Sequence, residues 1–283
     1  MRGKVQAHIE NIALHHTVFD LPFAYMGAFL AAKGHPGWGT LLWITLAVTG
    51  ARSAALAIDN FVDLKYDKVH PRFTKRPMVR GAVTKGEALL LIAMSLALCL
   101  YAVAKLPPVC LRLLPLAALP FVVYPFMKRL TGLCHAVLGV AIAMAPAGGW
   151  MAAGGQIDPP MLLLCSAVGI WIGAFDVIYG VQDEAFDRTH GLHSLATEVG
   201  AAQAVALARI GHFLCILCFA ALGALLHLAF PYYIGVFLAA ATLFYQHSIV
   251  DIRQFRWLTQ RYFMRNGIVA VAMFLCTAAS FYF

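Results

Sequence analysis

Long apolar runs alternate with short polar segments along almost the whole chain. A helix needs about 20 apolar residues to cross a hydrocarbon core of about 30 Å, and the runs have this length. The pattern therefore predicts an all-α integral membrane protein, folded as a single domain over residues 1–283. The predicted membrane-spanning helices are nine, at roughly 18–33, 39–62, 86–106, 109–127, 132–152, 160–182, 202–226, 231–250 and 265–282.

The first predicted span is short and carries Asp20 and Pro22 near its start. A basic N-terminus and small residues further on would also be typical of a signal peptide. Glu10, His15 and His16 lie where a signal peptide has its apolar centre, so we expect no cleavage.

Composition and charge agree with a membrane protein. Of the 283 residues, 61% are hydrophobic and 12% are charged, whereas soluble domains have about 25% charged residues. Most Lys and Arg fall on one side of the predicted topology, and only Lys33, Lys105 and Arg112 fall in segments on the other. The bias predicts a cytoplasmic N-terminus and an external C-terminus. The net charge of +8 is explained by this topology, so we do not expect nucleic-acid binding.

Acidic residues recur at helical spacing at the cytoplasmic ends of the second and sixth predicted spans. Asp59, Asp63 and Asp67 follow one another every four residues, which puts them on one face of a helix about 5–6 Å apart. The second stripe is similar and consists of Asp176, Tyr179, Gln182 or Asp183, and Asp187.

Solvated helix ends, salt-bridged to nearby Lys and Arg, are one interpretation of the two stripes. It explains Asp59 and Asp176 poorly, because both lie where the helix is still in or at the membrane. A carboxylate at that depth is costly and usually functional.

A pair of Mg²⁺ sites is the interpretation that we favour. Mg²⁺ is bound through one or two carboxylates together with water and phosphate oxygens. Four basic residues near the stripes are suited to hold the remaining oxygens of a diphosphate. They are Arg72 and Arg76 after the first stripe, and Lys128 and Arg129 in "YPFMKR".

These residues resemble the motifs of the UbiA superfamily of membrane prenyltransferases. Its first motif is N-D-x-x-D-x-x-x-D followed by R-T-x-x-R-P, and its second is D-x-x-Y-x-x-Q-D-x-x-x-D followed by G-x-x-S. The first corresponds to Asp59, Asn60, Asp63, Asp67, Arg72, Arg76 and Pro77, and the second to Asp176, Tyr179, Gln182, Asp183, Asp187, Gly191 and Ser194. Arg52 lies where the family keeps an arginine. The sequence departs from the motif in the inverted Asp59-Asn60 pair and in Phe73 after Arg72.

The resemblance implies nine helices around a central cavity in the inner membrane, with an active site that faces the cytoplasm at motif loops of about 63–85 and 183–201. It implies that Asp63, Asp67, Asp183 and Asp187 bind Mg²⁺ and that Asp59 is catalytic with them. The residues expected to contact substrates are Arg52, Asn60, Arg72, Arg76, Lys128, Arg129, Asp176, Tyr179, Gln182 and Ser194.

The expected reaction is Mg²⁺-dependent transfer of a polyprenyl group from a polyprenyl diphosphate to an aromatic carboxylic acid in quinone biosynthesis. The sequence is most similar to the menaquinone branch of the hydroxybenzoate-like enzymes, so the acceptor is a dihydroxynaphthoate or 4-hydroxybenzoate. Arg52 is a candidate clamp for the carboxylate of either acid. Another acceptor stays open, as does, from a different class, a cation channel with an acidic vestibule.

Several further residues carry weaker signals. His15, His16, His70, His190 and His193 lie near the cytoplasmic mouth, and Asp20 lies below the interface. Cys215 and Cys218 are expected to pack as small apolar side chains. The basic segment with Arg253, Arg256, Arg261 and Arg265 is expected to contact lipid headgroups.

Overall fold

The computed structural model describes residues 2–13, 17, 19–250 and 259–283, with the side chains of all of these except Arg2 and residues 259–264. The long regular elements in this part of the chain are α-helices. They are α1 (Arg2–Asn11), α2 (Leu21–Ala31), α3 (Trp38–Val62), α4 (Leu64–Asp67), α5 (Lys85–Val103), α6 (Pro108–Met127), α7 (Cys134–Ala152), α8 (Pro159–Gly180), α9 (Glu184–Thr189), α10 (Leu195–Val199), α11 (Ala201–Leu225), α12 (Phe230–Ser248) and α13 (Thr259–Ala279).

Each segment that the apolar pattern predicts to span the membrane overlaps with one of the described helices. Within the described residues, six stretches are long and apolar enough to cross a bilayer by themselves: α3, α5, α6, α7, α8 with its continuation to Thr189, and α11. The first predicted span is shorter than expected. Its helix α2 begins after Asp20 with Pro22 in the first turn, and 11 residues cover only about 16 Å. The count of nine spans therefore stays a prediction.

The core of the bundle forms around α8, which packs against α7 and α11. Glycines make the α7–α8 contact close, since a Cβ atom on Gly139 would lie 2.5 Å from the carbonyl oxygen of Gly169. Small residues are the usual means by which membrane helices approach each other. Trp171 of α8 is fully buried, and its ring centroid lies 5.2 Å from that of Phe23 in α2. These contacts hold α2, α7, α8 and α11 together.

Both acidic stripes run across a junction between two helices. The first crosses from α3 to α4, and the second crosses from α8 to α9 through a short 3-10 turn at Val181–Asp183. The first stripe keeps its spacing, because the backbone N–H of Asp63 donates to the oxygen of Asp59 and that of Asp67 to the oxygen of Asp63, both at 2.9 Å.

The N-terminal helix α1 lies against the loop that follows the first stripe. Its Ala7 is buried in a small apolar cluster with Leu64, Met78, Val83 and Ala88. Ion pairs join its two ends to the same region, from Lys4 to Glu87 at 2.7 Å and from Glu10 to Arg80 at 2.6 Å. The helix thus fixes the loop between α4 and α5.

Candidate active site

A cleft opens where the two acidic stripes meet, and its volume is about 410 Å³ including the part open to solvent. Both stripes contribute two aspartates to its wall. The lining residues are Asp63, Tyr66, Asp67, His70, Phe73, Pro125, Lys128, Arg129, Asp183, Phe186, Asp187 and Leu192. The structure thus brings the four predicted metal ligands to one site, although two of them lie more than 100 positions from the others.

Each cleft aspartate is paired with a basic side chain from another segment. The pairs are Asp63 with Arg129 at 3.0 Å, Asp67 with Arg76 at 2.5 Å, Asp187 with Lys128 at 3.5 Å, and Asp183 with Arg72. The four basic residues predicted to hold a diphosphate are therefore the partners of the four predicted metal ligands. The site is a set of matched charges supplied by α3–α4, the α4–α5 loop, the end of α6 and α8–α9.

Burial of the aspartate distinguishes three of these pairs from ordinary surface salt bridges. Asp67, Asp183 and Asp187 are buried, with exposed fractions of 4%, 5% and 2%. The interpretation of the stripes as solvated helix ends is therefore wrong for these residues, although it anticipated that they would be salt-bridged. Carboxylates removed from water in this way need the positive charge that surrounds them.

The pKa values at the mouth of the cleft reflect this burial. Burial raises the pKa of Asp63 above its usual value although Arg129 opposes the shift, and it raises that of Asp67 although Arg76 opposes it. For Lys128, burial alone would lower the pKa, but the neighbouring carboxylates, led by Asp187, raise it. Lys128 stays cationic, while the two carboxylates bind protons more readily than usual. Additional positive charge in the cleft would stabilise their ionised forms.

Aromatic rings hold the guanidinium groups in place. The guanidinium of Arg76 lies 3.9 Å from the ring centroid of Phe73, and that of Arg72 lies 5.0 Å from the ring of Tyr179. Phe73 occupies the motif position where threonine was expected, and the ring of His70 stacks on it at 4.3 Å. Phe73, which departs from the motif, thus provides a ring on which Arg76 and His70 stack at the mouth of the cleft.

Of the histidines singled out from the sequence, His70 lines the cleft. Its Nε2 atom lies 3.3 Å from Oδ1 of Asp183, and burial lowers its pKa although Asp183 opposes this. His190 is exposed and stacks on Phe186 at 3.8 Å, while His193 pairs with Glu198 at 2.8 Å. His15 and His16 lie outside the described residues.

Below the cleft, a second group of polar residues lies among the helices. Asp59 lies one helical turn deeper than Asp63, and its charge interacts with those of Arg76 and Lys128. On the facing helix, Oδ2 of Asp176 lies 2.7 Å from Nδ1 of His135. Sequence analysis missed His135, since a single histidine in an apolar run carries no motif signal.

Arg52 lies about two helical turns deeper than Asp59 and forms an ion pair with Asp20. The exposed fractions of the two side chains are 16% and 6%. The sequence makes Arg52 a candidate clamp for the acceptor carboxylate. The structure shows that Asp20 already neutralises its charge, so contact of Arg52 with an acceptor stays a prediction. Among the described residues, Arg52 Nε and Asp20 Oδ1 have no hydrogen-bond partner, so one donor and one acceptor remain.

Three other predicted substrate contacts have structural partners. Asn60 donates from Nδ2 to the carbonyl oxygen of Asn11 at 2.7 Å, and Gln182 donates from Nε2 to the carbonyl oxygen of Tyr179 at 3.2 Å. Ser194 is fully buried and caps α10, where its hydroxyl accepts from the N–H of Thr197. Neither Asn60 nor Ser194 is among the residues that line the cleft. Contact of these residues with substrate stays a prediction.

The weaker candidates outside the cleft, where the structure describes them, make ordinary packing contacts. Cys215 is fully buried in the core and Cys218 packs against it, as expected of small apolar side chains. Arg265 stacks over Tyr245 at 4.8 Å. Arg253 and Arg256 lie outside the described residues, as does the side chain of Arg261.

The donor set of the cleft suits Mg²⁺ shared with a phosphate group. In the part of the chain that the structure describes, no three His, Cys, Asp or Glu side chains gather closely enough to form a metal centre alone. Mg²⁺ rarely uses such a cage, and is bound by one or two carboxylates with waters and substrate phosphates. Four aspartates that line one cleft, each paired with a basic side chain, match this requirement.

The chain resembles known proteins over nearly its whole length. Residues 21–281 match the model of the UbiA prenyltransferase family. Similar proteins include the 4-hydroxybenzoate octaprenyltransferases of Aliivibrio salmonicida, which is 31% identical over 89% of this chain and 88% of its own length, and of Marinobacter nauticus, which is 32% identical over 89% and 85%.

Solved structures agree with these matches. A UbiA homologue from Aeropyrum pernix superposes with a TM-score of 0.84 at 31% identity, covering 93% of this chain and 97% of its own. A homologue from Archaeoglobus fulgidus bound to GPP and Mg²⁺ has the same fold, with a TM-score of 0.76 at 18% identity over 98% of this chain and the whole of its own. The prediction of a transferase is confirmed, and the alternative of a channel has no support from these relatives. The chain belongs to the UbiA prenyltransferase family.

Proposed function

We propose that this protein transfers a polyprenyl group from a polyprenyl diphosphate to the ring of an aromatic carboxylic acid in quinone biosynthesis. The observation that carries the proposal is a cleft lined by two pairs of aspartates, each of which is paired with one of four basic side chains. A diphosphate with Mg²⁺ is a ligand that satisfies both sets of charges together. The relatives named as 4-hydroxybenzoate octaprenyltransferases support the aromatic acceptor.

Substrate binding exchanges the partners of the four ion pairs. Asp63, Asp67, Asp183 and Asp187 would hold Mg²⁺, which supplies positive charge to neutralise the leaving diphosphate. Arg72, Arg76, Lys128 and Arg129 are then released from the aspartates to donate to phosphate oxygens. Guanidinium groups suit this role because they donate to phosphate in a bidentate manner. The exchange keeps every buried charge compensated before and after binding.

The chemistry is an electrophilic substitution on the aromatic ring. The bond between the allylic carbon and the diphosphate oxygen breaks as basic side chains stabilise the negative charge of the leaving group. The ring carbon then bonds to the allylic carbon, and the ring loses a proton. Water must be kept from the allylic cation. Tyr66, Phe73 and Phe186 line the cleft and present apolar surface to it.

The acceptor is proposed to bind below the cleft, with its carboxylate near Arg52. The Nε–H of Arg52 is buried and has no partner among the described residues, while another guanidinium nitrogen is bonded to Asp20. An acceptor carboxylate can therefore add to the pair without displacing Asp20. Both 4-hydroxybenzoate and a dihydroxynaphthoate carry such a carboxylate, and the menaquinone-type resemblance favours the latter.

The topology in the membrane is also part of what we propose for this chain. All nine apolar segments cross the inner membrane, with the N-terminus and the motif loops at the cytoplasmic face and the C-terminus outside. Residues 1–283 act as one domain. The polyprenyl tail, which is as apolar as lipid, lies among the helices.

The test uses purified protein in lipid nanodiscs with a labelled polyprenyl diphosphate and a panel of acceptors. The panel contains 4-hydroxybenzoate, a dihydroxynaphthoate, benzoate without a hydroxyl group, and a glycerophosphate lipid. We expect a labelled product with a hydroxylated aromatic acid and none with benzoate. A product with the glycerophosphate lipid alone would show a UbiA-type transferase with another acceptor.

A further inference from the structure

We propose that His135 is a positioning residue for the aromatic acceptor. It fixes one carboxylate oxygen of Asp176, so that the other oxygen accepts a hydrogen bond from the acceptor's ring hydroxyl. The inference rests on the proposed function, which it deepens by naming the group that recognises the hydroxyl and the residue that holds this group in place.

The contact between the two residues joins neighbouring helices. His135 is the second residue of α7 and is 4% exposed, while Asp176 lies in α8. Nδ1 of His135 lies 2.7 Å from Oδ2 of Asp176, a length typical of a charge-assisted hydrogen bond.

The imidazole ring lies in a slot that allows little movement. Gly180 forms one wall of this slot, since a Cβ atom there would lie 2.9 Å from Cε1 of His135. The backbone of His135 is also fixed, because a Cβ atom on Gly173 would lie 3.1 Å from its carbonyl oxygen. The hydrogen bond to Asp176 therefore has a defined direction.

The second oxygen of Asp176 remains available. Within the described part of the chain, Oδ1 of Asp176 accepts no hydrogen bond, and 18% of the side chain is exposed although the residue lies in the helix bundle. Asp176 precedes Asp183 by seven residues, roughly 10 Å along a helix. This depth separates it from the metal-binding aspartates and leaves it to serve another ligand.

The surroundings of Asp176 favour an aromatic hydroxyl as that ligand. Tyr124 of α6 interacts electrostatically with Asp176 and with Asp59 of α3, so three helices direct polar groups to one level below the cleft. A carboxylate that accepts from a ring hydroxyl increases the electron density of the ring. An electron-rich ring is what attack on an allylic cation requires, and the hydrogen bond strengthens as positive charge develops on the ring.

His135 is needed because Asp176 has a competing partner. The charge of Asp176 interacts with that of Lys128 at the mouth, and without a second partner the carboxylate would turn toward this cation. A histidine that served packing alone would not need its Nδ1 aimed at a carboxylate. Asp176, when held by His135, presents Oδ1 to the acceptor at a fixed angle.

The test compares three variants in nanodiscs with the full chain. His135→Leu keeps most of the volume and removes the hydrogen bond. His135→Asn keeps a donor near the position of Nδ1. His212→Leu is the matched control, because His212 is also buried and bonded, with Nε2 at 3.1 Å from the carbonyl oxygen of Trp171 in the core.

We expect His135→Leu to raise the KM for the acceptor on the order of tenfold, as the loss of a hydrogen bond to a charged group would do. The donor KM should stay within about twofold, since the Asp183 and Asp187 region is untouched. His135→Asn should recover most of the loss. His212→Leu should lower thermal stability without a change in the acceptor KM.

A second measurement addresses the hydroxyl itself. Binding of 4-hydroxybenzoate and of 4-methoxybenzoate is measured calorimetrically with a prenyl thiodiphosphate that does not react. The wild type should prefer the hydroxyl compound, and His135→Leu should lose most of this preference.

If His135→Leu keeps the wild-type acceptor KM and preference, or if its losses equal those of His212→Leu, the positioning role is overturned. If the wild-type protein transfers to no aromatic acid, the proposed function fails first and the inference falls with it.

Discussion

Arg52 in α3 and Asp20, directly before α2, form a largely buried ion pair that joins these two helices below the candidate active-site cleft. The pair neutralises the charge of Arg52 without using all of its donors, because Nε has no partner in the described part of the chain. Asp20 therefore holds the guanidinium in one orientation, and the remaining donor is the one that the proposed acceptor carboxylate would use.

Arg52 and Arg72 should act on different substrates. Lysine keeps the charge but loses the planar set of donors, so Arg52→Lys should raise the acceptor KM by about tenfold and leave the donor KM nearly unchanged. Arg72 lies at the cleft and pairs with Asp183, so Arg72→Lys should raise the donor KM instead. Steady-state kinetics with each substrate varied in turn measures both constants. Equal shifts of both constants in both variants would show that the two subsites are assigned wrongly.

Removal of Asp20 should destabilise the protein strongly. Asp20→Ala leaves the buried guanidinium of Arg52 without its partner, which costs about 3–5 kcal/mol in comparable pairs. The matched control is Glu10→Ala, since Glu10 and Arg80 form an ion pair whose side chains are 43% and 47% exposed. Such a pair contributes about 0–1 kcal/mol. Thermal unfolding in detergent measures the difference, and similar unfolding temperatures for the two variants would contradict the buried pair.

Asp63 and Asp187 should each be required for transfer. Asp63→Asn or Asp187→Asn should lower kcat by a factor on the order of 100 or more, because each removes a carboxylate proposed to hold the Mg²⁺ that neutralises the leaving diphosphate. Asparagine is chosen because Asp187 is buried and a smaller residue would leave a cavity beside Lys128. Glu184→Gln is the control, since Glu184 is a neighbouring carboxylate that pairs with Arg188. Near-normal rates in both aspartate variants would favour a purely structural role for the ion pairs.

The Mg²⁺ requirement should depend on pH. Burial raises the pKa values of Asp63 and Asp67, so protons compete with the metal at a higher pH than for ordinary aspartates. The Mg²⁺ concentration for half-maximal activity should therefore increase as the pH falls toward the raised pKa values of these carboxyls, and excess Mg²⁺ should restore the rate. Activity titrated with Mg²⁺ at several pH values measures this, with thermal unfolding as a check on folding. A half-saturating concentration independent of pH would be inconsistent with these ligands.

Much of the helical pattern was predictable because a membrane imposes it. Apolar runs such as the one that forms α11 have no stable alternative to a helix in lipid. The first span was predicted as short, but its helix α2 is shorter still than the predicted 18–33, because it begins only after Asp20, with Pro22 in its first turn. The breaks at Asp63 and at Val181–Asp183 were also missed, because local helix type depends on packing at the cleft.

The site was predictable where several residues of one stretch share a spacing. Asp63 and Asp67 lie four residues apart, as do Asp183 and Asp187. The structure brings both pairs to one cleft. The partners of Arg52 and Asp176 could not be found in this way. Asp20 and His135 lie 32 and 41 positions away, and only the packing of α2 on α3 and of α7 on α8 brings them together.

The most direct test of the central claim is prenyl transfer by the purified protein with and without a chelator. Labelled polyprenyl diphosphate and the preferred aromatic acid are incubated with protein in nanodiscs, in EDTA and then with excess Mg²⁺. We expect loss of labelled product in EDTA and recovery with Mg²⁺, because the cleft carboxylates need divalent charge to hold a diphosphate. Full turnover in EDTA would contradict the assignment of these aspartates as ligands of a catalytic metal.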